Sequence, residues 1–419
     1  MKVFDETNEC RDREGLEQLQ IERLQALIAR LRRNVRRYRD LLGDLHIGSL
    51  DDVQRLPLTQ PDDLLSAFPY GMFALPLREV IRLHSTVGPR GRPLVVGHTR
   101  NDLVQWSRLV ARQFTAADAS DHDVIQICYG AGVPAGGTGY TLGAELIEAS
   151  VIPEDPTHID YQLAMLRNYK PTVLITTPSN AQDLAELMAD SKIDVQSLGL
   201  LTLLLTRPVG PEQRDELQAG LFAQVRCSLG VPEILDPGLC VECSEGRFHV
   251  NEDHFLVEEH QGELVVTTLC REAMPLLRYA TRIGAALHEE PCECGRTGRT
   301  LVPRGRLDGR LLVNERALYE EQIRNVLERT QARGHPFSLQ INDRDIVVML
   351  PITNELFADT MRVLQSVQAE IESEFLARLN VRANVQYLSP QDFAERTANP
   401  GGANRQTTKT SLDSDAGTI

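Results

Sequence analysis

Hydrophobic positions change their rhythm along the chain, and each rhythm predicts a different kind of structure. Between residues 15 and 45, Leu, Ile and Val recur at three- and four-residue spacing up to Gly43, which reads as an amphipathic helix with a glycine stop. Residues 51–80 are rich in turn formers and carry several prolines. From 100 to 230 the rhythm alternates. Short apolar runs, DVIQICYG (123–130), ASVIPE (149–154), PTVLITTP (171–178) and LLTLLLT (200–206), are separated by helix-like segments such as 101–114 and 180–190. Buried strands alternating with helices predict a layered α/β domain with a largely parallel sheet.

After residue 235 the pattern becomes two-residue alternation with a Gly turn (247–269), which predicts a small antiparallel β subdomain over 235–300. The stretch CGRTGRTLVPRGRLDGR (294–310) reads as a linker. Helix (317–331), strand (337–341), strand (345–351), helix (356–378) and strand (380–388) then follow, an order that predicts a compact α+β domain of ferredoxin-like type. The expected organisation is an N-terminal domain over 1–304, a small C-terminal domain over 305–398 and a polar tail over 399–419.

Composition narrows the function classes. The 419 residues are 42% hydrophobic and 25% charged, with a formal net charge of −15. That charge argues against nucleic acid as a general partner, because a polyphosphate is repelled by the average surface. The arginines of LIARLRRNVRRYRDLL (27–42) lie around an apolar helical stripe and read as a solvated helix face. The run LGLLTLLLT (198–206) is too short to span a bilayer, and the charged N-terminus has no signal-peptide core. The expectation is a cytoplasmic protein with no membrane partner. Only four of the 44 basic residues are lysine, and Lys409 is the only one after Lys192.

Cysteine placement carries the first chemical signal. Cys240 and Cys243 form one close pair, Cys292 and Cys294 another. Cys243, His249, Cys292 and Cys294 offer three thiolates and an imidazole, the ligand set of a closed structural Zn2+ site, with Cys240 an alternative to one of them.

A wider set of stretches now lines up in order: RLHSTVGPRGRPLVVGHTRNDL, YGAGVPAGGTGY, LITTPSNA, LGVPEILDPGLCVEC, GRFHVNEDHF, GELVVTTLCREAMPLLRY, CECGRT and GRLDGRLL. Together they closely resemble the phenylacetate–CoA ligase family of the acyl-adenylate-forming superfamily, from about residue 20 to about 390. The resemblance implies two half-reactions. A carboxylic acid attacks the α-phosphate of ATP to give an acyl-AMP and pyrophosphate, and coenzyme A then displaces AMP. It also implies a mobile C-terminal domain, Mg2+ and a homodimer.

Carried over residue by residue, the resemblance assigns the phosphate loop to Thr86–Pro93. Gly88 and Gly91 are kept there, Pro89 removes a backbone N–H, and Arg90 and Arg92 supply positive charge in place of hydroxyl donors. Glu233 matches the magnesium-holding glutamate, although Leu229 replaces the adenine-stacking aromatic ring. Arg282 is retained, but Ile283 stands where the family has a ribose-binding aspartate. Arg306 and Asp308 keep the hinge motif, and Asn314-Glu315 depart from it. Lys409 is the candidate adenylation lysine. Tyr129, Gly136, Gly137 and Pro178 match loops lining the acid pocket. The implied function is an adenylate-forming ligase that activates an aromatic or small carboxylic acid with ATP and passes it to CoA or another thiol or amine acceptor. The alternative is a catalytically inactive homologue that docks a carrier protein or an active ligase.

Overall fold

The computed structural model describes residues 3–130, 136–153, 158–313, 316–341, 345–352, 361–398 and 406–410. The chain forms two compact units, residues 1–308 and 309–419. Unit 1 opens with helices α1 (Glu6–Glu9), α2 (Arg13–Asn34), α3 (Arg36–Leu42) and α4 (Pro61–Ser66). The single helix expected over 15–45 is broken at Val35, whose extended backbone (φ −113°, ψ 112°) ends α2 and begins α3. Burial sets the break. Val35 is fully enclosed, and the turn brings Tyr38 inward to pair its hydroxyl with Thr59 at 2.7 Å. Gly43 ends α3 at φ 45°, a conformation open to glycine at little cost.

A hairpin follows, β1 (Arg82–Val87) and β2 (Pro93–His98). Helices and strands then alternate: α5 (Arg100–Ala116), β3 (Val124–Cys128), α6 (Gly136–Leu146), β4 (Ser150–Pro153), α7 (Ile159–Tyr169), β5 (Val173–Thr176), α8 (Pro178–Asp190), β6 (Thr202–Leu205), α9 (Pro211–Leu221) and β7 (Gln224–Cys227). The five strands form a parallel sheet in the order β4-β3-β5-β6-β7. Every residue of β5 and β6 is buried, as helices on both faces of a parallel sheet require. The chain leaves β3 on one side for β4 and returns on its other side as β5. The winding direction therefore reverses beside β3.

The seven-stranded antiparallel sheet contains β8 (Leu229–Val231), β9 (Leu235–Glu242), β10 (Phe248–Val250), β11 (Phe255–His260), β12 (Glu263–Thr268), β13 (Tyr279–His288) and β14 (Thr300–Arg306), in the order β11-β12-β13-β14-β10-β9-β8. Gln261 and Gly262, at φ 53° and 79°, close the two-residue turn between β11 and β12. The linker expected over 294–310 is corrected here: β14 lies inside this sheet, between β13 and β10. Its glycine- and arginine-rich composition imitates a loop, yet Thr300 and Leu301 are buried, Leu301 in the apolar core.

One continuous apolar core joins α2, α3, α5, α6 and both sheets, with Trp106, Phe114, Tyr140 and Phe255 among its largest buried side chains. A buried ionic network crosses it. Arg112 on α5 grips Asp253 with two parallel bonds of 2.8 and 2.9 Å, and also reaches Asn251 at 3.1 Å and Asp5 at 3.0 Å. Two-pronged pairing of this kind offsets much of the cost of burying both charges.

Unit 2 holds the hairpin β15 (Leu311–Val313) and β16 (Arg316–Leu318), helices α10 (Glu320–Leu327), α11 (Met361–Leu379) and α12 (Pro390–Ala398), and strands β17 (Phe337–Ile341), β18 (Asp345–Pro351), β19 (Arg382–Leu388) and β20 (Gln406–Thr410). The four strands order as β19-β18-β17-β20. Strands β18 and β19 are parallel and joined through α11, and Ile371 and Phe375 of that helix are buried in the unit's own core. Strand β20 lies within the stretch expected to be a polar tail. Among the described residues no helix is long and apolar enough to cross a membrane.

Candidate active site and metal centre

Four side chains converge where β9, β10 and the β13–β14 connection meet. Cys243 follows β9, His249 sits in β10, and Cys292 and Cys294 lie in the connection. Their donor atoms all fall within 4.8 Å of one another. Cys243 Sγ is 3.8 Å from Cys292 Sγ, and Cys294 Sγ is 3.3 Å from His249 Nε2. A tetrahedron with metal–sulfur bonds of about 2.3 Å has sulfur–sulfur edges of about 3.8 Å. His249 Nδ1 lies 2.9 Å from the Gly298 carbonyl. That bond makes Nδ1 the donor and leaves the Nε2 lone pair facing the sulfurs, the orienting role such partners play around metals. Burial, with the neighbouring Cys294 and Cys292 sulfurs, pushes the Cys243 thiol up to about 12. Crowded, buried thiols ionise together only beside a cation, so the donor set fits a tetrahedral metal. Cys240 is not in the cluster. It lies opposite Val250 on β9, enclosed in the apolar core.

The phosphate-loop residues form the tip of the β1–β2 hairpin. The Gly88 N–H bonds the Arg92 carbonyl at 2.9 Å, the Gly91 N–H the Gly88 carbonyl at 3.2 Å, and the Arg92 N–H the Pro89 carbonyl at 3.1 Å. Pro89 has no N–H to contribute. Three backbone donors of the tip, those of Gly88, Gly91 and Arg92, therefore close the turn on itself, and the cationic side chains are what it offers outward. Arg90 holds a left-handed conformation (φ 54°) and pairs with Asp62 at 2.6 Å on the exposed surface. Arg92 is exposed. Gly88 is obligatory in this geometry, because a Cβ there would stand 2.6 Å from Leu94 Cγ and 2.7 Å from the Arg92 carbonyl oxygen.

Glu233 sits in the tight turn between β8 and β9, 4% exposed, and its Oε1 accepts a bond from Thr86 Oγ1 at 3.0 Å. The hairpin and the glutamate, 147 residues apart, are thus joined directly. Sequence reading singled out Glu233 and not Thr86. The signal was available, since Thr86 is two residues before Gly88 in the same motif.

Arg282, Arg306 and Asp308 gather at the irregular edge where β13 pairs β14 and Ile283 faces Arg306. Arg306 grips Asp308 at 3.0 and 2.6 Å and reaches the Thr281 carbonyl at 3.5 Å. The Arg282 backbone N–H bonds Glu263 at 2.6 Å, and its guanidinium bonds Gln60 at 2.7 Å.

The acid-pocket candidates stand at the carboxyl ends of adjacent parallel strands. Tyr129 follows β3, Pro178 opens α8 just after β5, and Cys128 pairs Thr176 in register. This is where the winding of the sheet reverses, the place at which open α/β sheets form a ligand crevice. Gly136 and Gly137 begin α6. A side chain on Gly137 would collide with the Tyr129 and Gly130 carbonyls, so glycine lets the helix start press against the strand end. The Tyr129 and Tyr140 rings meet edge to face with centroids 6.3 Å apart. Lys409 lies in β20 opposite Ser338, in unit 2, with its side chain outside the described residues, as are Asn314 and Glu315.

No family model matches the chain. It is 37% identical over 336 residues to the phenylacetate–coenzyme A ligase of Thermus thermophilus, a match covering 75% of this chain and 76% of that protein. It is 29% identical over 382 residues to the Escherichia coli enzyme of the same name, covering 85% and 86%. Among solved structures, 2-hydroxyisobutyryl-CoA ligase in complex with 2-HIB-AMP and CoA superposes with a TM-score of 0.79 at 20% identity, over 92% of this chain and 88% of that one. At that identity the likeness is one of fold.

Proposed function

The chain belongs to the phenylacetate–coenzyme A ligase family, and from that premise we propose that it is an adenylate-forming acid–CoA ligase acting on a small aromatic carboxylic acid. The observation that carries this reading is 37% identity across three quarters of both chains.

The chemistry has to bring two anions together. In the proposed site the acid lies at the carboxyl ends of β3 and β5, beside Tyr129, Gly136, Gly137 and Pro178. Its carboxylate attacks the α-phosphorus of ATP, forming the acyl-AMP and releasing pyrophosphate. The thiol of CoA then attacks the acyl carbon, forming the thioester, and AMP leaves. Arg90 and Arg92 meet the phosphates by charge, because the N–H groups of Gly88, Gly91 and Arg92 are already bonded within the turn and Pro89 has none. Glu233, one of whose carboxylate oxygens accepts from Thr86, would hold magnesium. The ion supplies charge neutralisation on the phosphates. Arg282, Arg306 and Asp308 face the ribose, and Lys409 is the candidate adenylation lysine. Cys243, His249, Cys292 and Cys294 hold a structural zinc, which supplies a cross-link and no open position for catalysis.

The test is calorimetric titration with magnesium and ATP. Micromolar binding is expected, weakened at least tenfold by Arg90→Ala with Arg92→Ala. No heat at millimolar ATP sinks the reading.

A further inference from the structure

His84 and Thr86 stand two residues apart on β1 and so present to the same face of the hairpin. Both address the turn between β8 and β9. Thr86 Oγ1 lies 3.0 Å from Glu233 Oε1. The ring of His84 lies against the backbone of Pro232, the residue before Glu233. Proline has no N–H, so the polar group it offers the imidazole is its carbonyl. His84 Nδ1 is buried.

The ring is held from behind by a stack. His84 lies on His98 with centroids 4.9 Å apart, and His98 lies on Trp106 at 5.1 Å and 10°. Trp106 Nε1 is tied to the Pro237 carbonyl at 2.6 Å. Arg271, itself buried, donates to His98 Nδ1 at 3.0 Å and to the Gly97 carbonyl at 2.8 Å. Burial, then the charges of Arg271 and Arg82, lowers the pKa of His84 to about 4. The imidazole is therefore neutral at physiological pH, a form that keeps one N–H for the Pro232 carbonyl.

We propose that His84 and Thr86 are positioning residues for Glu233: one fixes the backbone of the Pro232–Glu233 step, the other fixes one carboxylate oxygen, and together they aim the second oxygen at a divalent cation. This rests on the reading of Glu233 as the magnesium residue. Two adjacent anchors from one strand leave the glutamate little rotational freedom. The alternating β1 face thereby couples the phosphate-loop hairpin to the metal-holding side chain.

The experiment is Mn2+ titration of the full chain at saturating ATP, with free Mn2+ read by electron paramagnetic resonance and the melting temperature of each variant recorded. Thr86→Val and His84→Leu are each expected to weaken Mn2+ binding about tenfold, the factor that losing one buried hydrogen bond supports. Thr86→Ser and His84→Gln, whose amide can still donate to the Pro232 carbonyl, are expected to stay within about twofold of wild type. Wild-type Mn2+ affinity in Thr86→Val and His84→Leu overturns the proposal. So does equal weakening in His84→Leu and His84→Gln, which marks a packing role alone. Glu233→Gln separates the two levels: if it leaves Mn2+ binding intact, the magnesium reading fails, and the positioning role falls with it.

Discussion

Removing one ligand of the cysteine–histidine cluster tests whether a metal staples unit 1. Cys292 is the informative position, because it is half-buried and its own packing contributes little. A metal there links residues 49 apart along the chain, Cys243 and Cys292. Closing a loop of that length removes unfolded-state entropy worth about 4 kcal/mol at 25 °C. For a unit of this size, each kcal/mol moves the melting temperature by roughly 2 °C. Cys292→Ala is therefore expected to melt about 8 °C below wild type, and a strong chelator to lower the wild type similarly while leaving the variant unmoved. The metal loop also carries Arg296 and Thr297, which bind Glu9 through a 2.8 Å ion pair and a 3.1 Å backbone bond. Chelation should consequently speed amide exchange around residues 5–10. Elemental analysis of protein grown with added zinc should give one equivalent. Metal-free protein whose melting is indifferent to both chelator and mutation refutes the reasoning.

Two further outcomes follow from buried charge. Asp253→Ala leaves Arg112 enclosed without its two-pronged partner and is expected to cost about 3–5 kcal/mol, whereas Arg112→Met combined with Asp253→Leu recovers most of it in denaturant titrations. Acid should destabilise the protein from about pH 6.5 downward. Burial lowers His84 and His254 to about 4 and His98 well below the ordinary value, so the unfolded chain binds protons that the folded one refuses, and stability present above the unfolded pKa is lost as pH falls toward the folded one. Calorimetry at pH 5 in buffers of different ionisation enthalpy should find about three protons taken up on unfolding from these histidines, and one fewer in His84→Gln. A carboxylate adds to this at lower pH: burial raises Asp253, but Arg112 and His254 together hold it well below its usual range.

Periodicity made the layered α/β arrangement legible, because a strand buried on both faces is a continuous apolar run, and PTVLITTP could be little else. Strands β17 and β18 were readable to the residue, since β17 alternates apolar and polar positions and β18 is a short apolar run that begins at a polar boundary. What failed was local composition without pairing. Thr300–Arg306 looks like a linker because its glycines and arginines are loop formers, and only its neighbours β13 and β10 make it a strand. The break at Val35 was equally hidden. A valine fits the apolar stripe of a helix, and the distant Thr59 that draws Tyr38 inward leaves no mark on the helix itself. At the site, the cysteine–histidine set was legible because thiol spacing survives without the fold. The Thr86–Glu233 bond was not, because nothing in either segment indicates which residue 147 positions away will meet it.

The central claim is tested most directly by mixing purified protein with ATP, magnesium, CoA and phenylacetate, then following AMP, pyrophosphate and the acyl-CoA mass together. The account predicts pyrophosphate and AMP in equal amounts only when acid is present, and a thioester that appears only when CoA is added. ATP left intact with every member of an aromatic-acid panel, under conditions where the protein is folded, would contradict it.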